Sequence, residues 1–204
     1  MIDLYTANTP NGHKIVIMLE ELGVPYTKHM IDLKANQQKS PEFLEMNPNG
    51  RIPVIIDHEG PFNRKTTVFE SGAILYYLAE KYSKFFGQEL DQKAHVMQWV
   101  MFQMSAIGPN FGNYNYGTTY MPEKVPQFIE RFEKESQRLV TVLNSQLTKH
   151  QFVAGDSYTI ADMTTYTWVS AFATKKPEWF DSAPAIRRWL DAVGNRPAVK
   201  KAMS

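Results

Sequence analysis

The chain begins with MIDLYTANTPNGHKIVIMLEELG at residues 1–23, and this stretch decides the fold of its first part. It opens with a short apolar segment typical of a strand, and a turn rich in Asn, Pro and Gly follows at residues 8–12. Four apolar residues then recur at the spacing of one helical face: Ile15, Met18, Leu19 and Leu22. Gly23 and Pro25 end this helix, so the sequence predicts a strand, a turn and an amphipathic helix.

The alternation of strands and helices continues well beyond this first helix. Residues 26–33 can form a second strand, and the apolar segment at residues 52–57 is typical of another. A further short strand precedes a helix at residues 71–81, where apolar residues share one side. This order predicts a mixed sheet packed by helices, followed by a linker at residues 82–91.

Beyond the linker the pattern becomes purely helical. One apolar stripe ends at Gly108-Pro109, another begins near residue 125, and an aromatic-rich loop is expected between them at residues 111–120. Further on, Thr159 and Asp162 have the spacing of a capping box, in which each side chain binds the other's backbone amide at a helix N-terminus. We interpret this box as a folding device without a catalytic role.

The composition is that of an ordinary globular protein, with 43% hydrophobic and 21% charged residues. Its 22 basic and 21 acidic side chains nearly cancel, which gives no electrostatic reason to expect a nucleic acid or an anionic membrane as partner. No apolar run reaches the roughly 20 residues that span a bilayer, and the N-terminus lacks signal-peptide features, so a cytoplasmic protein is expected. The absence of cysteine excludes disulfides and a protein thiol nucleophile, and the spacing of the five histidines predicts no metal site.

Four segments carry a resemblance to a known family. They are Thr-Pro-Asn-Gly-His-Lys at residues 9–14, Asn-Gly-Arg-Ile-Pro at 49–53, Phe-Glu-Ser-Gly-Ala-Ile at 69–74 and Tyr-Thr-Ile-Ala-Asp at 158–162. In order and separation these segments resemble the glutathione transferase superfamily over essentially the whole chain. The Thr-Pro-Asn-Gly turn after the first strand looks closest to the nu class, which includes bacterial glutathione-disulfide reductases and is related to the fungal nitrogen-regulator-like proteins.

The resemblance implies a protein of two domains. Residues 1–82 would form an α/β thioredoxin-like domain that binds glutathione, and residues 92–204 an all-α helical domain that contributes the second-substrate site. The family is usually a symmetric dimer, so a homodimer is implied. Glutathione, in its reduced or disulfide form, is the implied substrate and no metal is expected. Because the chain has no cysteine, the reacting sulfur must belong to glutathione.

Two of the segments supply residues implied to bind glutathione. In the family the peptide bond before Pro53 is cis, which leaves the backbone of Ile52 exposed to pair with the cysteinyl part of the ligand. Read alone, this proline would simply begin a strand. Glu70 and Ser71 lie where a strand meets a helix, whose free amides suit the γ-glutamyl carboxylate, while Glu70 can accept from the ligand's ammonium group. Read alone, these two residues would cap the helix.

Two further residues are implied as ligand contacts. Gln38, in the loop after the second strand, aligns with a family position that contacts the glycyl end of glutathione, although neighbouring Gln37 leaves the register open by one residue. Arg131, in the helical region, matches a position that the nu class uses to reach the ligand. The alternative for Arg131 is a place on a solvated helix face.

Thr9 and Asn11 are the residues expected to act on the thiol. A free thiol with a pKa near ~8.5 is mostly protonated at neutral pH, and only the thiolate attacks well. Both side chains can donate a hydrogen bond, and by resemblance to the nu class they face the sulfur. The alternative is that one of them is only the helix cap, with Pro10 at the first helical position. Tyr5 is interpreted as a packed strand residue and His13 as a surface residue.

The expected function is glutathione-dependent thiol-disulfide oxidoreduction, as in a disulfide-bond reductase. Conjugation of glutathione to small hydrophobic electrophiles is the alternative, and a non-catalytic regulatory or assembly module that still binds glutathione is a second one. Aromatic residues of the helical domain are candidates for the second-substrate site, although core and loop packing is the simpler explanation for any single one. These candidates are Phe111, Tyr114, Tyr116, Tyr120 and Trp168.

Overall fold

The computed structural model describes residues Met1–Ser204. Four strands form one sheet in the order β2-β1-β3-β4: β1 (Ile2–Thr6), β2 (Tyr26–Met30), β3 (Val54–Asp57) and β4 (Thr66–Phe69). β1 and β2 are parallel, whereas β3 is antiparallel to both of its neighbours. The expected mixed sheet is confirmed, although β2 and β3 are shorter than the segments at residues 26–33 and 52–57 predicted from the sequence.

Nine α-helices accompany the sheet. They are α1 (Pro10–Leu22), α2 (Pro41–Met46), α3 (Ser71–Tyr82), α4 (Leu90–Phe102), α5 (Gly108–Asn115), α6 (Pro126–Lys149), α7 (Ile160–Lys175), α8 (Pro184–Gly194) and α9 (Pro197–Met203). Short 3₁₀ turns lie at Gln37–Lys39, Pro61–Asn63 and Pro177–Phe180, and π-helical turns at Gln103–Ile107 and Tyr116–Tyr120. None of these helices combines the length and the apolar character that a membrane crossing requires.

The chain divides into two compact units, Met1–Phe86 with Arg196–Ser204, and Gly87–Asn195. The first unit contains the sheet, α1 to α3 and α9, and the second contains α4 to α8. α9 belongs to the first unit because it packs along α1, where Arg196 donates hydrogen bonds of 2.6 and 2.9 Å to Glu21. The sequence pattern groups α9 with the helical region, since nothing local marks its partner.

The strand register brings three separate parts of the chain to one edge of the sheet. Tyr5 of β1 lies opposite Val54 of β3, and Val54 lies opposite Phe69 of β4. β1 and β4 end at this edge and β3 begins there, so the turn after β1, the loop before β3 and the start of α3 are neighbours. β2 also ends here, because it is parallel to β1 and its Met30 lies beside Thr6.

The chain is helical from residue 103 to residue 120, which corrects the predicted helix stop at Gly108-Pro109 and the predicted loop at residues 111–120. α4 passes through one π-helical turn into α5, and a second π-helical turn follows α5. Gly108 has a φ of −57°, which is ordinary right-handed helix. Pro109 lies in the first turn of α5, where a proline is tolerated. The Gly-Pro pair therefore marks a π-helical turn within a continuous helical segment.

The capping box at the start of α7 is confirmed, and its acidic residue also holds two other segments. Thr159 and Asp162 make both reciprocal bonds of the box. The Oδ1 atom of Asp162 accepts hydrogen bonds from the Val153 amide at 2.9 Å and from Trp189 Nε1 at 2.8 Å. Burial raises the pKa of Asp162 to about 6, and its hydrogen bonds oppose that rise. Asp162 thus joins the start of α7 to α8 and to the preceding loop.

We expect Asp162→Ala to lower the free energy of unfolding by about 2–4 kcal/mol, because it removes a helix cap and leaves the Val153 and Trp189 donors buried without this acceptor. Urea unfolding followed by circular dichroism measures the change. Asp156→Ala is the matched control: the Asp156 side chain is 82% exposed, and we expect its effect to stay within about 0.5 kcal/mol. Equal effects of the two substitutions would contradict the role assigned to Asp162.

Candidate functional site

The first turn of α1 uses Thr9 as its cap. Thr9 has extended backbone angles, and its Oγ1 accepts a hydrogen bond from the Gly12 amide at 3.1 Å, with Pro10 at the first helical position. A hydroxyl that accepts in this way still has its own hydrogen to donate. The capping alternative therefore holds for Thr9, and it is compatible with a contact to a ligand. Asn11 is half-buried in the same turn.

Gly12 packs this turn against the end of β1. A Cβ atom at Gly12 would lie 2.2 Å from the Ala7 carbonyl oxygen and 2.5 Å from Thr6 Oγ1. A larger residue would require the backbone to move, so the turn is held close to the edge of the sheet. This close contact fixes the positions from which Thr9 and Asn11 project.

The loop before β3 presents backbone groups that have no partner in the chain. The Ile52–Pro53 peptide bond is cis, as the resemblance implies. Ile52 is half-buried, and neither its amide nor its carbonyl makes a hydrogen bond within the chain. An extended ligand can pair with these two groups as a neighbouring strand would.

The start of α3 places Glu70 and Ser71 at the same edge of the sheet. Glu70 has a φ of 69°, in the left-handed region that non-glycine residues rarely adopt, and its side chain does not cap α3. The exposed Glu70 carboxylate instead accepts a hydrogen bond of 3.4 Å from Asn49 Nδ2. Ser71 is the first residue of the helix and is buried. The capping alternative therefore does not account for the Glu70 side chain.

Lys14 lies beneath this edge, and the sequence motifs leave it without an assigned role. Its side chain has 0% exposure, and its Nζ lies 3.3 Å from Ser71 Oγ. Burial lowers the pKa of Lys14 to about 7, while the Glu70 carboxylate opposes that change. The spacing of α1 contains the signal for this burial, because residue 14 lies one turn before Met18 on the buried face of the helix.

The loop after β2 gives two adjacent glutamines different surroundings. Gln37 Oε1 accepts a hydrogen bond of 2.8 Å from the Asp32 amide, so this side chain folds back on its own loop. Gln38 Oε1 is buried and has no hydrogen-bond partner. Lys39 Nζ donates to the Asn49 carbonyl at 3.1 Å and ties this loop to the one before β3. Gln38 is therefore the better candidate for a ligand contact, because its side-chain oxygen has no partner, whereas that of Gln37 already accepts a hydrogen bond.

Arg131 lies on the exposed face of α6 in the second unit. It makes no hydrogen bond or ion pair within the chain, whereas Lys134 is paired with Glu130 and Arg138 with Glu135. The three cations border a depression of about 570 Å³ on this unit. Of the three cations that border this depression, Arg131 is therefore the one whose side chain makes no ion pair.

The aromatic candidates of the second unit divide into buried and exposed groups. Phe111 and Tyr114 are only 1% and 5% exposed, and their rings pack against Phe172 and Trp179. Core packing therefore explains Phe111 and Tyr114. Three candidates remain in contact with solvent: Tyr116 and Tyr120, which are exposed, and Trp168, which is half-buried.

Tyr5 and His13 have structural contacts of their own. Tyr5 stacks on His29 with ring centroids 4.6 Å apart, and burial raises the pKa of Tyr5, as expected for a packed strand residue. His13 Nδ1 lies 2.9 Å from the Ala202 carbonyl oxygen, so this half-buried ring contacts α9 and is not simply a surface residue. No group of three or more His, Cys, Asp or Glu side chains lies close enough together to hold a metal ion.

Comparison with known proteins covers both parts of the chain. Residues 2–80 match the family described as "Glutathione S-transferase, N-terminal domain", and residues 111–204 match "Glutathione S-transferase, C-terminal domain". The chain is 39% identical to "Disulfide-bond oxidoreductase YfcG" of Escherichia coli, over 100% of this chain and 94% of that protein. It is 41% identical to "Disulfide-bond oxidoreductase YghU" of the same organism, over 98% of this chain and 73% of that protein.

Solved structures show the same fold. A glutathione transferase from Burkholderia graminis, with two glutathione molecules bound per subunit, has a TM-score of 0.96 and 39% identity over 99% of this chain and 87% of that one. A glutathione transferase from Pseudomonas putida, with one glutathione disulfide bound per subunit, has a TM-score of 0.95 and 36% identity over 100% of this chain and 90% of that one. Sequence and fold therefore point to the same family.

Proposed function

The chain belongs to the glutathione transferase family, and we propose that it is a glutathione-dependent thiol-disulfide oxidoreductase that uses the thiolate of bound glutathione. Two relatives that align over almost the whole chain are named disulfide-bond oxidoreductases. The solved relatives hold two glutathione molecules or one glutathione disulfide per subunit, which are the reduced and oxidised forms that such a reaction interconverts.

The proposal depends mainly on one observation: polar side chains, unpaired backbone groups and a helix N-terminus that could bind glutathione all lie at one edge of the sheet. The strand register places the end of β1, the start of β3 and the end of β4 side by side. Thr9 follows β1, the backbone of Ile52 precedes β3, and Glu70 and Ser71 follow β4. In our proposal the γ-glutamyl carboxylate binds Ser71 and the first amides of α3, where the helix dipole favours an anion. The ligand's ammonium group binds Glu70, its cysteinyl backbone pairs with Ile52, and its glycyl end meets the Gln38 loop.

The reacting sulfur comes from the ligand, because the chain contains no cysteine. A hydrogen bond from the Thr9 hydroxyl or from the Asn11 amide stabilises the thiolate and lowers the pKa of the glutathione thiol from about 8.5. Each unit of pKa corresponds to about 1.4 kcal/mol. The site thereby raises the fraction of bound glutathione that is ready to attack.

The proposed reaction balances with a pair of glutathione molecules per substrate disulfide. The first thiolate attacks one sulfur of the disulfide, forms a mixed disulfide and releases a substrate thiolate, which takes up a proton. The second thiolate attacks the glutathione sulfur of the mixed disulfide, which yields glutathione disulfide and releases the other half of the substrate as a thiolate that takes up a proton. The electron pair that reduces the substrate is therefore supplied by glutathione alone.

Assays distinguish this function from its alternatives. Conjugation would join the thiolate to a small hydrophobic electrophile, and a regulatory module would bind glutathione without turnover. In either enzymatic case we propose that Tyr116, Tyr120 and Trp168 meet the second substrate. Purified protein is tested for glutathione-dependent reduction of a small dialkyl disulfide and, in parallel, for conjugation of an aryl halide. Rates equal to the buffer blank in both assays, with glutathione still bound, would favour the regulatory module.

We expect Thr9→Ala and Asn11→Ala each to lower kcat/KM for disulfide reduction about tenfold or more, because each removes a donor to the thiolate. The apparent pKa of bound glutathione, followed by its ultraviolet absorbance against pH, should rise in the same variants. Thr9→Ser is the matched control, since serine keeps a hydroxyl that can accept from Gly12 and donate to sulfur. An unchanged kcat/KM with an unchanged thiol pKa would exclude Thr9 and Asn11 as the activating residues.

For Arg131 we propose a contact with a glutathione carboxylate, because its guanidinium is open whereas that of Arg138 is held by Glu135. Arg131→Gln should raise the KM for glutathione about tenfold, which is the size expected for loss of a charged hydrogen bond. Arg138→Gln removes the same charge from the same helix and should leave KM nearly unchanged. If both variants behave alike, the net charge of α6 and not a direct contact is responsible.

We further propose that the protein is a homodimer of the cytoplasm. Apolar side chains on its surface offer area that a partner subunit would cover, among them Phe62, Leu90 and Met101. The reaction consumes reduced glutathione, which the cytoplasm maintains. Size exclusion with light scattering should give about twice the mass of one chain. The mass of a single chain at the concentrations of the assay would contradict the dimer.

A further inference from the structure

Lys14 is a fully buried lysine next to the proposed site, and the sequence motifs assign it no role. Lys14 is among the largest fully buried side chains of the protein, with 0% exposure. Lysine is almost never fully buried unless something compensates for the lost hydration of its charge. Its contact at 3.3 Å with Ser71 Oγ places the ammonium group directly behind the start of α3.

We propose that Lys14 is a positioning residue for glutathione: it directs the Ser71 hydroxyl towards the γ-glutamyl carboxylate and supplies the buried positive charge that balances this carboxylate. The inference rests on the proposed function and adds a residue to the same site. Lys14 acts on the ligand indirectly, by orienting the Ser71 hydroxyl and by the attraction of its positive charge for the γ-glutamyl carboxylate.

The hydrogen-bonding capacities of the two side chains support this role. A lysine ammonium group has three donors and no acceptor, so Ser71 Oγ is the acceptor of the bond between them. Ser71 must then direct its own hydrogen away from Lys14, and a carboxylate bound at the start of α3 is an acceptor for it. A neutral amine would reverse this arrangement, because its lone pair could accept the hydrogen from Ser71.

The charged side chains of the elements next to α1 set the electrostatic surroundings of Lys14. Glu70, which precedes α3, favours the ammonium form of Lys14. Several other charged side chains on the elements next to α1 pair with one another: Lys81 of α3 with Asp57, Asp3 of β1 with His29 and His58, and Arg196 and Lys201 at α9 with Glu21 and Glu20. On α1 itself His13 contacts the Ala202 carbonyl.

The charge of Lys14 should respond to the ligand. Burial lowers the pKa of Lys14 to about 7, so without ligand the lysine is partly neutral near physiological pH. A carboxylate bound at Ser71 is an opposite charge nearby, and it raises this pKa again. Ligand binding and proton uptake by Lys14 are therefore linked, and the affinity for glutathione should fall as the pH rises above about 7.

Lys14→Met tests the proposal, because methionine has an unbranched apolar chain of similar shape and no charge. The affinity for S-methylglutathione, measured by calorimetry, should fall about tenfold or more, and the KM for glutathione should rise with little change in kcat. Lys28→Met is the matched control, since Lys28 is exposed on β2 and its loss should leave affinity unchanged. Lys14→Met should unfold at an equal or higher urea concentration than the wild type, because a buried charge is replaced by an apolar chain. A lysine with a merely structural role would lose stability together with affinity.

A second measurement uses the wild-type protein and does not depend on the folding of a variant. Calorimetry in buffers of different ionisation enthalpy counts the protons taken up when S-methylglutathione binds, and this thioether has no thiol proton to release. Up to about one proton per site should be taken up near pH ~8, and Lys14→Met should lose this uptake. No uptake at any pH between about 6 and 9, or wild-type affinity in a folded Lys14→Met, would overturn the role of Lys14. A wild-type protein that binds no glutathione would instead overturn the proposed function.

Discussion

The pairing of β3 with β1 and β4 is the constraint on which the site depends. It sets Tyr5, Val54 and Phe69 side by side, and so brings the turn after β1, the cis-proline loop and the start of α3 to one edge. A slip of one residue would turn every side chain of β3 to the opposite face. Because β3 is buried on both faces, such a slip would force all of its side chains to repack against new neighbours. The hydrophobic core thereby fixes the relative positions of polar groups that are far apart in the sequence.

At the first turn of α1 the proposed ligand contact uses the same side chain that caps the helix. The Thr9 hydroxyl accepts from the Gly12 amide and so uses its oxygen for the helix, which leaves its hydrogen for the contact that we propose with the glutathione sulfur. Stability and chemistry agree at this position, because a better cap is also a better oriented donor. Glu70 behaves differently, since its φ of 69° and its uncapped helix start are unfavourable for folding, and backbone strain of this kind clusters at ligand sites.

The sequence predicts a feature well when the residues that determine it are close together. The helix at α1, with its Thr9 cap, and the box of Thr159 and Asp162 are local, and both were expected. The segment after Gly108-Pro109 was predicted wrongly, because π-helical turns depend on packing and not on the local Gly-Pro signal. The burial of Phe111 and the return of α9 to α1 depend on contacts with distant residues. The site residues came from motif resemblance, and although Lys14 lies within one of the quoted segments, its burial depends on the fold and is not indicated by the motif.

Lys14 shows why burial changes the effect of a charge on a ligand. A surface lysine such as Lys28 interacts with a carboxylate through water and salt, which reduce the attraction to a small value. The Lys14 side chain is already out of water in the folded protein, so its ammonium form acts in a medium of low polarisability and needs no further dehydration when the ligand arrives. Burying this charge lowers the free energy of unfolding of the unliganded protein. A charge placed in this way favours an anionic ligand over its absence, and that preference is what a glutathione site at the start of α3 requires.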